Sequence, residues 1–224
     1  MGEDKELVIA IDGPAGAGKS TVAKRVADTL SYIYIDTGAM YRALTLKALK
    51  QGLNLADEDE VAAMAKETEV KFKKVNEKEK VILDGVDVTD KIRTNKVSNN
   101  VSLVAKIKAV RERLVKLQRE MAAQGGVVMD GRDIGTVVLP DADLKVFLNA
   151  TVEERTMRRY EDLKESGEEV DFEKLKEEII RRDEIDKNRE VSPLKKAEDA
   201  NEVDTTNLSI SEVVEEILNL CQEV

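Results

Sequence analysis

The stretch Gly13-Pro14-Ala15-Gly16-Ala17-Gly18-Lys19-Ser20 matches the pattern G-x-x-x-x-G-K-[ST] of a phosphate-binding loop. It follows the apolar run 7–11, which predicts a buried strand, and it opens a stretch with helical periodicity. Glycines let successive backbone N–H groups face phosphate oxygens, and the helix N-terminus adds partial positive charge. We therefore expect residues 13–20 and Thr21 to bind a nucleoside triphosphate. Lys19 would reach the β and γ phosphates, and the Ser20 hydroxyl would bind Mg²⁺.

Short strand-like stretches alternate with helical segments along most of the chain. After the first strand, such stretches fall at 32–35, 127–129, 144–148 and 202–204. Helices are predicted from about 39 to 52, as one long helix over 95–124, from 151 to a break at Gly167, over 171–187, and from Ser209 onward. This alternation is typical of an α/β fold, here a five-stranded parallel sheet flanked by helices.

Residues 70–75 and 80–88 break this alternation, because polar and apolar residues alternate there with a period of two. The polar residues 76–79 between them predict a turn. We interpret this region, about 64–94, as a small antiparallel β insert in a single domain whose core comprises residues 1–63, 95–150 and 190–224.

Composition excludes several kinds of function. The chain of 224 residues contains no histidine and one cysteine, so zinc sites, Ser-His catalysis and internal disulfides are not expected. A net charge of -10 argues against binding a nucleic acid polymer, which requires a basic surface. No apolar run is long enough for a membrane span, and the charged start does not resemble a signal peptide. The expected location is the cytoplasm.

Two nucleotide-binding classes other than kinases fit the sequence poorly. A GTPase should carry N-K-x-D, but the nearest match, Asn95-Lys96-Val97-Ser98, lacks the aspartate. A motor-type ATPase usually has an apolar strand that ends in Asp-Glu, and none is present. Arg42 and Arg132 follow predicted strands, at the sheet edge where ligands bind in such folds. Guanidinium groups there favour an anionic phosphate acceptor, and hence a small-molecule kinase.

Five segments together resemble the bacterial cytidylate kinase family, in the family's order and over nearly the whole chain. They are GPAGAGKS (13–20), DTGAMYR (36–42), DVTDKIRT (87–94), DGRDIGTVVLPDAD (130–143) and RRDEIDKNREVSPL (181–194). The resemblance implies the nucleoside monophosphate kinase fold, with a mobile helical lid at about 151–170. The implied reaction is transfer of a phosphoryl group from ATP to CMP or dCMP. Relatives of this size generally act as monomers.

The resemblance also implies a role for individual residues. Lid arginines, Arg155, Arg158 or Arg159, would join Lys19 and Arg132 in contacting the transferring phosphoryl group. The charged stretch 165–169 is interpreted as an exposed turn or as part of the lid hinge. The residues implied to bind the acceptor are Arg42, Arg132, Arg189 and Thr37 at its phosphate, Ser102, Arg111 and Asp133 at the cytosine ring, and Arg182 and Asp186 at the ribose.

Asp133 is chemically suited to cytosine, because a carboxylate accepts a hydrogen bond from the N4 amino group that uracil lacks. Two alternatives stay open at this point. One is a kinase for another small anion, such as UMP, AMP or shikimate. The other is a regulatory module that hydrolyses ATP or GTP slowly. These hypotheses are distinguished by whether ATP turnover depends on an added acceptor, and on which one.

Overall fold

A computed structural model describes residues 6–75, 78–165, 167 and 169–224 of the protein. The strands are β1 (Val8–Asp12), β2 (Ile33–Asp36), β3 (Val70–Val75), β4 (Lys78–Leu83), β5 (Val86–Asp87), β6 (Val127–Gly131), β7 (Leu144–Asn149) and β8 (Asn201–Asp204). The α-helices are α1 (Lys19–Leu30), α2 (Thr37–Gln51), α3 (Glu58–Lys66), α4 (Asn95–Ala105), α5 (Lys108–Ala122), α6 (Val152–Glu165), α7 (Phe172–Asn188) and α8 (Ile210–Cys221). The chain divides into two compact units, Met1–Asp36 with Arg119–Val224, and Thr37–Gln118.

The first unit contains the predicted five-stranded sheet, in which every neighbouring pair is parallel. The strand order is β2-β6-β1-β7-β8, so β1 lies at the centre. Its residues Ile9 and Ile11 are fully buried because the strand is covered on both faces. The predicted α/β fold class is confirmed. The phosphate loop begins where this central strand ends.

Helices α1 and α8 cover the sheet of the first unit with apolar side chains. Val22 and Val26 of α1 share a buried cluster with Val213 and Ile217 of α8. The predicted capping box of α8 is present: the Glu212 N–H donates to the Ser209 hydroxyl, and the Ser209 N–H donates to the Glu212 carboxylate.

Helices α6 and α7 also belong to the first unit, and the sequence signals at their ends are confirmed. The Thr151 hydroxyl accepts the Glu154 N–H at the start of α6, and Asp171 caps α7. Gly167, in the left-handed conformation at φ 79, follows the end of α6. Of the predicted turn or hinge over 165–169, Ser166 and Glu168 lie outside the described residues.

The second unit contains α2, α3, α4, the residues of α5 up to Gln118, and the sheet β3-β4-β5. Both strand pairs are antiparallel, with Val70 opposite Leu83 in the first. The predicted β insert is therefore present. The stretch 80–88 is two strands, because Asp84 and Gly85 both adopt positive φ and reverse the chain. Residues 76 and 77 of the predicted 76–79 turn lie outside the described residues.

The prediction of one long helix over 95–124 is wrong, since α4 and α5 are separate. The break falls at Lys106 and Ile107, where the Lys106 N–H bonds back to Ser102 and Val104 carbonyls. Neither Gly nor Pro marks it, and the apolar spacing continues through the buried Ile107. Helix α2 begins at Thr37, two residues earlier than expected. The second unit is larger than the predicted insert, and the predicted boundaries of core, insert and lid stay predictions.

Candidate active site

The phosphate loop, residues 13–20, has a backbone that requires glycine at specific positions. Gly13 has φ 147, and a Cβ there would lie 2.0 Å from the Leu148 carbonyl oxygen of β7. Gly16 and Gly18 adopt φ 80 and 84, which other residues rarely adopt. Gly18 directly precedes the first turn of α1. The loop therefore passes closely over the sheet and presents the N-terminus of α1, as anion binding requires.

Lys19 lies inside this loop. Its Nζ donates a 2.6 Å hydrogen bond to the Pro14 carbonyl, and the side chain is buried. Burial, and next the positive charge of Arg132, hold the pKa of Lys19 well below its usual value. Phosphate groups would supply the negative charge that restores the ammonium form. The predicted contact of Lys19 with phosphates fits this geometry.

Asp130 organises the region where the sequence predicts Mg²⁺. Its carboxylate accepts the Ser20 hydroxyl at 2.9 Å and the Tyr34 hydroxyl at 2.9 Å. Burial, and then the nearby Asp36 carboxylate, raise the pKa of Asp130 to about 6. Sequence reasoning gave no role to Asp130, Tyr34 or Asp36. The signal for Asp130 was its place at the carboxyl end of a predicted strand.

The donor set fits Mg²⁺, although no group of three or more His, Cys, Asp or Glu side chains suited to a metal occurs within the described ranges. Mg²⁺ retains water and is held by one or two protein oxygens together with substrate phosphates. The Ser20 hydroxyl, beside the Asp130 carboxylate, provides oxygens of this kind at the first turn of α1.

Five predicted acceptor residues lie in the first unit, and four of them form two ion pairs. Arg132 Nε lies 3.1 Å from Asp186 Oδ2, and an Arg189 terminal nitrogen lies 3.3 Å from Asp133 Oδ1. Arg182 is near enough for its charge to lower the pKa of Lys19. The end of β6 supplies Arg132 and Asp133, while α7 and the residue after it supply the others. This set thus stands at the same sheet edge as the phosphate loop.

The three lid arginines differ in their surroundings. Arg155 is buried, and its guanidinium contacts the Ala150 and Ala15 carbonyls and the Asp183 carboxylate. Arg158 is half-buried and donates to Thr205, with Glu154 as its ion-pair partner. Arg159 is also half-buried and interacts with another group. Because Arg155 bonds the loop backbone at Ala15, its observed contacts are those of a support for the loop.

The second unit carries the remaining predicted acceptor residues. Thr37 and Arg42 lie on α2, and Thr37 is buried. Arg111 of α5 is 2% exposed; it donates to the Ala105 carbonyl at 3.1 Å and lies 5.4 Å from the centre of the Tyr41 ring. Ser102 lies buried on α4, one turn before Ala105. The helix break at 106–107 thus turns Arg111 back toward the end of α4.

A parallel five-stranded sheet whose central strand ends in a phosphate loop defines the class of P-loop nucleotide-binding proteins, and the arginine-rich set at the same edge favours a kinase within that class. The family model described as cytidylate kinase matches residues 9–223. A cytidylate kinase of Bacillus velezensis is 59% identical over 220 residues, covering 98% of each chain. One of Bacillus subtilis is 56% identical with the same coverage. The chain therefore belongs to the cytidylate kinase family, and it is an enzyme of the nucleoside monophosphate kinase class.

A solved structure of another protein resembles this chain in fold. A solved structure of an uncharacterized protein from Eubacterium ventriosum aligns over 98% of this chain and 100% of that chain, with a TM-score of 0.52 at 15% identity. At that identity the likeness concerns the fold alone. Separately, none of the helices in the described part of the chain is long and apolar enough to cross a membrane.

Proposed function

We propose that this enzyme transfers a phosphoryl group from ATP to CMP and dCMP, giving CDP and dCDP in pyrimidine nucleotide metabolism. The observation that carries the proposal is the buried pair of Asp133 and Arg189 beside the pair of Arg132 and Asp186. These pairs place a hydrogen-bond acceptor suited to cytosine next to guanidinium groups suited to phosphate. The cytoplasmic location and the monomeric state stay predictions.

On the donor side, residues Gly13 to Thr21 bind the ATP phosphates through backbone N–H groups. Lys19 gives up its bond to the Pro14 carbonyl and contacts the β and γ phosphates. Mg²⁺ neutralises phosphate charge when bound, with the Ser20 hydroxyl as its protein ligand. Asp130 then serves to orient that hydroxyl, since it already accepts its hydrogen bond.

On the acceptor side, Arg42, Arg132 and Arg189 bind the phosphate of CMP, with the Thr37 hydroxyl near it. Arg182 and Asp186 bind the ribose. The acceptor phosphate is already a nucleophile, so the reaction needs charge neutralisation and in-line positioning more than a general base. Arg132 changes partner from Asp186 to phosphate when CMP binds, and the Asp186 carboxylate then accepts sugar hydroxyls in its place.

Ser102, Arg111 and Asp133 recognise the cytosine ring in this proposal. Asp133 is 4% exposed. A base that turned a carbonyl oxygen toward it would place two buried hydrogen-bond acceptors opposite each other, with no donor between them. UMP presents a carbonyl where CMP presents the N4 amino group. Loss of one such base contact is worth about 1–3 kcal/mol, or about fivefold to 150-fold in selectivity.

Arg158 and Arg159 are the proposed contacts of the transferring phosphoryl group. Arg158 is now bonded to Thr205 and Glu154, so reaching the phosphoryl group requires exchange of these bonds. Exclusion of water during this exchange would prevent ATP hydrolysis. Arg155 is not assigned to this role, because its guanidinium contacts the loop and Asp183.

The test follows ADP release with ATP and Mg²⁺, without an acceptor and then with CMP, dCMP, UMP, AMP or shikimate. We expect rapid turnover with CMP and dCMP alone. We also expect Asp133→Asn to lower the CMP preference over UMP by about fivefold to 150-fold, because asparagine presents both a donor and an acceptor.

The other outcomes of this assay are equally specific. Preference for another acceptor would overturn the cytosine assignment while leaving the donor site intact. ADP release that no acceptor stimulates would favour a nucleotide-hydrolysing switch. Glu202→Gln is the matched control, since Glu202 pairs with Lys196 at the surface, outside the proposed site, and its loss should leave the CMP preference unchanged.

A further inference from the structure

Asp12, the last residue of β1, connects two loops of the first unit. It directly precedes Gly13 of the phosphate loop, and its side chain is 5% exposed. Its two carboxylate oxygens accept the backbone N–H groups of Ile134 at 2.8 Å and Gly135 at 2.7 Å. Neither the phosphate contacts nor the base contacts proposed above use this carboxylate.

The two N–H groups belong to the segment that carries acceptor residues. Ile134 and Gly135 immediately follow Arg132 and Asp133, so a bond at Ile134 restrains the backbone one residue from Asp133. The fit there is tight: a Cβ on Gly135 would lie 3.1 Å from Lys145 Cδ and 3.5 Å from Asp12 Oδ2. The segment 131–135 is thus held between the end of β1 and the stem of Lys145.

Burying a carboxylate costs free energy, even when the carboxylate accepts two N–H groups. Burial, opposed by these two hydrogen bonds and then reinforced by the Asp133 carboxylate, raises the pKa of Asp12 to about 7. The charged form of the Asp12 carboxylate is therefore destabilised by its buried position. Ile134 and Gly135 are the first two residues of a short helical turn, Ile134–Val138, so the two acceptors on this one short side chain fix where that turn begins.

We propose that Asp12 is a positioning residue for the acceptor, which keeps residues 131–135 in register with the phosphate loop so that Arg132 and Asp133 face the nucleotide. This inference rests on the proposed function. It predicts that loss of the carboxylate weakens acceptor binding and base selectivity much more than ATP binding, although Asp12 adjoins the phosphate loop in sequence.

The test is Asp12→Asn in the full-length protein. Asparagine keeps the shape but turns an amide NH₂ toward one of the two N–H groups. Calorimetric titrations measure binding of CMP, UMP and a non-hydrolysable ATP analogue separately. We expect CMP affinity to fall about tenfold and its advantage over UMP to shrink, with the ATP analogue changing less than about twofold.

Asp12→Ser is a second variant, smaller and neutral, whose single hydroxyl oxygen cannot accept both N–H groups, and it decides the matter if Asp12→Asn does not fold. The matched control is Asp143→Asn, because Asp143 accepts the Val8 N–H at 2.9 Å at the opposite end of β1. Both nucleotide affinities should be unchanged in that control.

Two results would overturn the inference. In one, folded Asp12→Asn and Asp12→Ser bind CMP and UMP as the wild type does. In the other, they lose CMP and the ATP analogue equally, which indicates a general structural role. If the wild type itself prefers another acceptor, the proposed function fails, and the positioning role is then judged on the affinity for that acceptor.

Discussion

The ion pair between Arg155 and Asp183 supports a prediction about both stability and the phosphate loop. Arg155 NH2 lies 2.7 Å from Asp183 Oδ2, and the two side chains are 4% and 9% exposed. In Asp183→Ala, the guanidinium keeps its bonds to the Ala150 and Ala15 carbonyls but loses its counter-charge. Removing one partner of a buried ion pair costs about 3–5 kcal/mol. For a chain of this size that corresponds to a fall in Tm of about 6–20 °C.

The second carboxylate oxygen of Asp183 lowers the expected cost of Asp183→Ala. Asp183 Oδ1 is buried and has no hydrogen-bond partner among the described residues, so the aspartate itself is not fully satisfied. Replacing it therefore relieves some desolvation, and we expect the lower half of the range, about 3–4 kcal/mol. The double variant Arg155→Ala with Asp183→Ala should cost less than the sum of the two single changes. Each single change leaves one buried charge unpaired, whereas the double variant removes both charges.

The assay is urea unfolding followed by circular dichroism for both single variants and the double variant. Glu153→Ala is the matched control, because Glu153 and Lys176 also pair α6 with α7, at 2.8 Å but exposed to solvent. That change should cost much less than Asp183→Ala, because solvent screens the exposed pair. If Asp183→Ala destabilises the protein no more than Glu153→Ala does, the reasoning about the buried pair is refuted.

Two further predictions concern the phosphate loop and its neighbour. Gly13→Ala should abolish ATP binding and lower Tm, because its Cβ would overlap the Leu148 carbonyl oxygen; calorimetry that finds wild-type ATP affinity would contradict this. The pKa of Asp130 is raised to about 6, so its contribution to stability is complete below its ordinary pKa near 3.8 and is lost as pH rises through 6. Asp130→Asn should therefore gain stability relative to the wild type between pH 4 and 7 in urea unfolding, and a constant difference would contradict the shift.

The features that the sequence predicted well are those encoded by short spacing. The phosphate loop follows from eight adjacent residues, and the capping box of α8 from Ser209 and Glu212, three apart. The buried strands follow from apolar runs such as 7–11. In each case the interacting groups are neighbours along the chain, so local backbone preference and periodicity carry the information.

The features that the sequence did not predict depend on partners far apart in the chain. The break between α4 and α5 has no Gly or Pro, and an uninterrupted apolar spacing conceals it. In the sequence, nothing distinguishes Arg155 from the other lid arginines. In the structure, its guanidinium donates to the Ala15 carbonyl, 140 residues away. Spacing along one helix does not distinguish a guanidinium that faces solvent from one that is buried against a loop.

The sequence by itself determined the fold class, the phosphate loop and, through resemblance, the family. Only the tertiary structure decided which charged groups pair and which are buried. Asp12 meets the Ile134 N–H across 122 residues, and Ser20 meets Asp130 across 110. Such contacts arise because parallel strands bring their carboxyl ends to one edge of the sheet. Burial and the resulting pKa shifts exist only after that assembly, since they depend on the removal of water from groups that are distant in the chain.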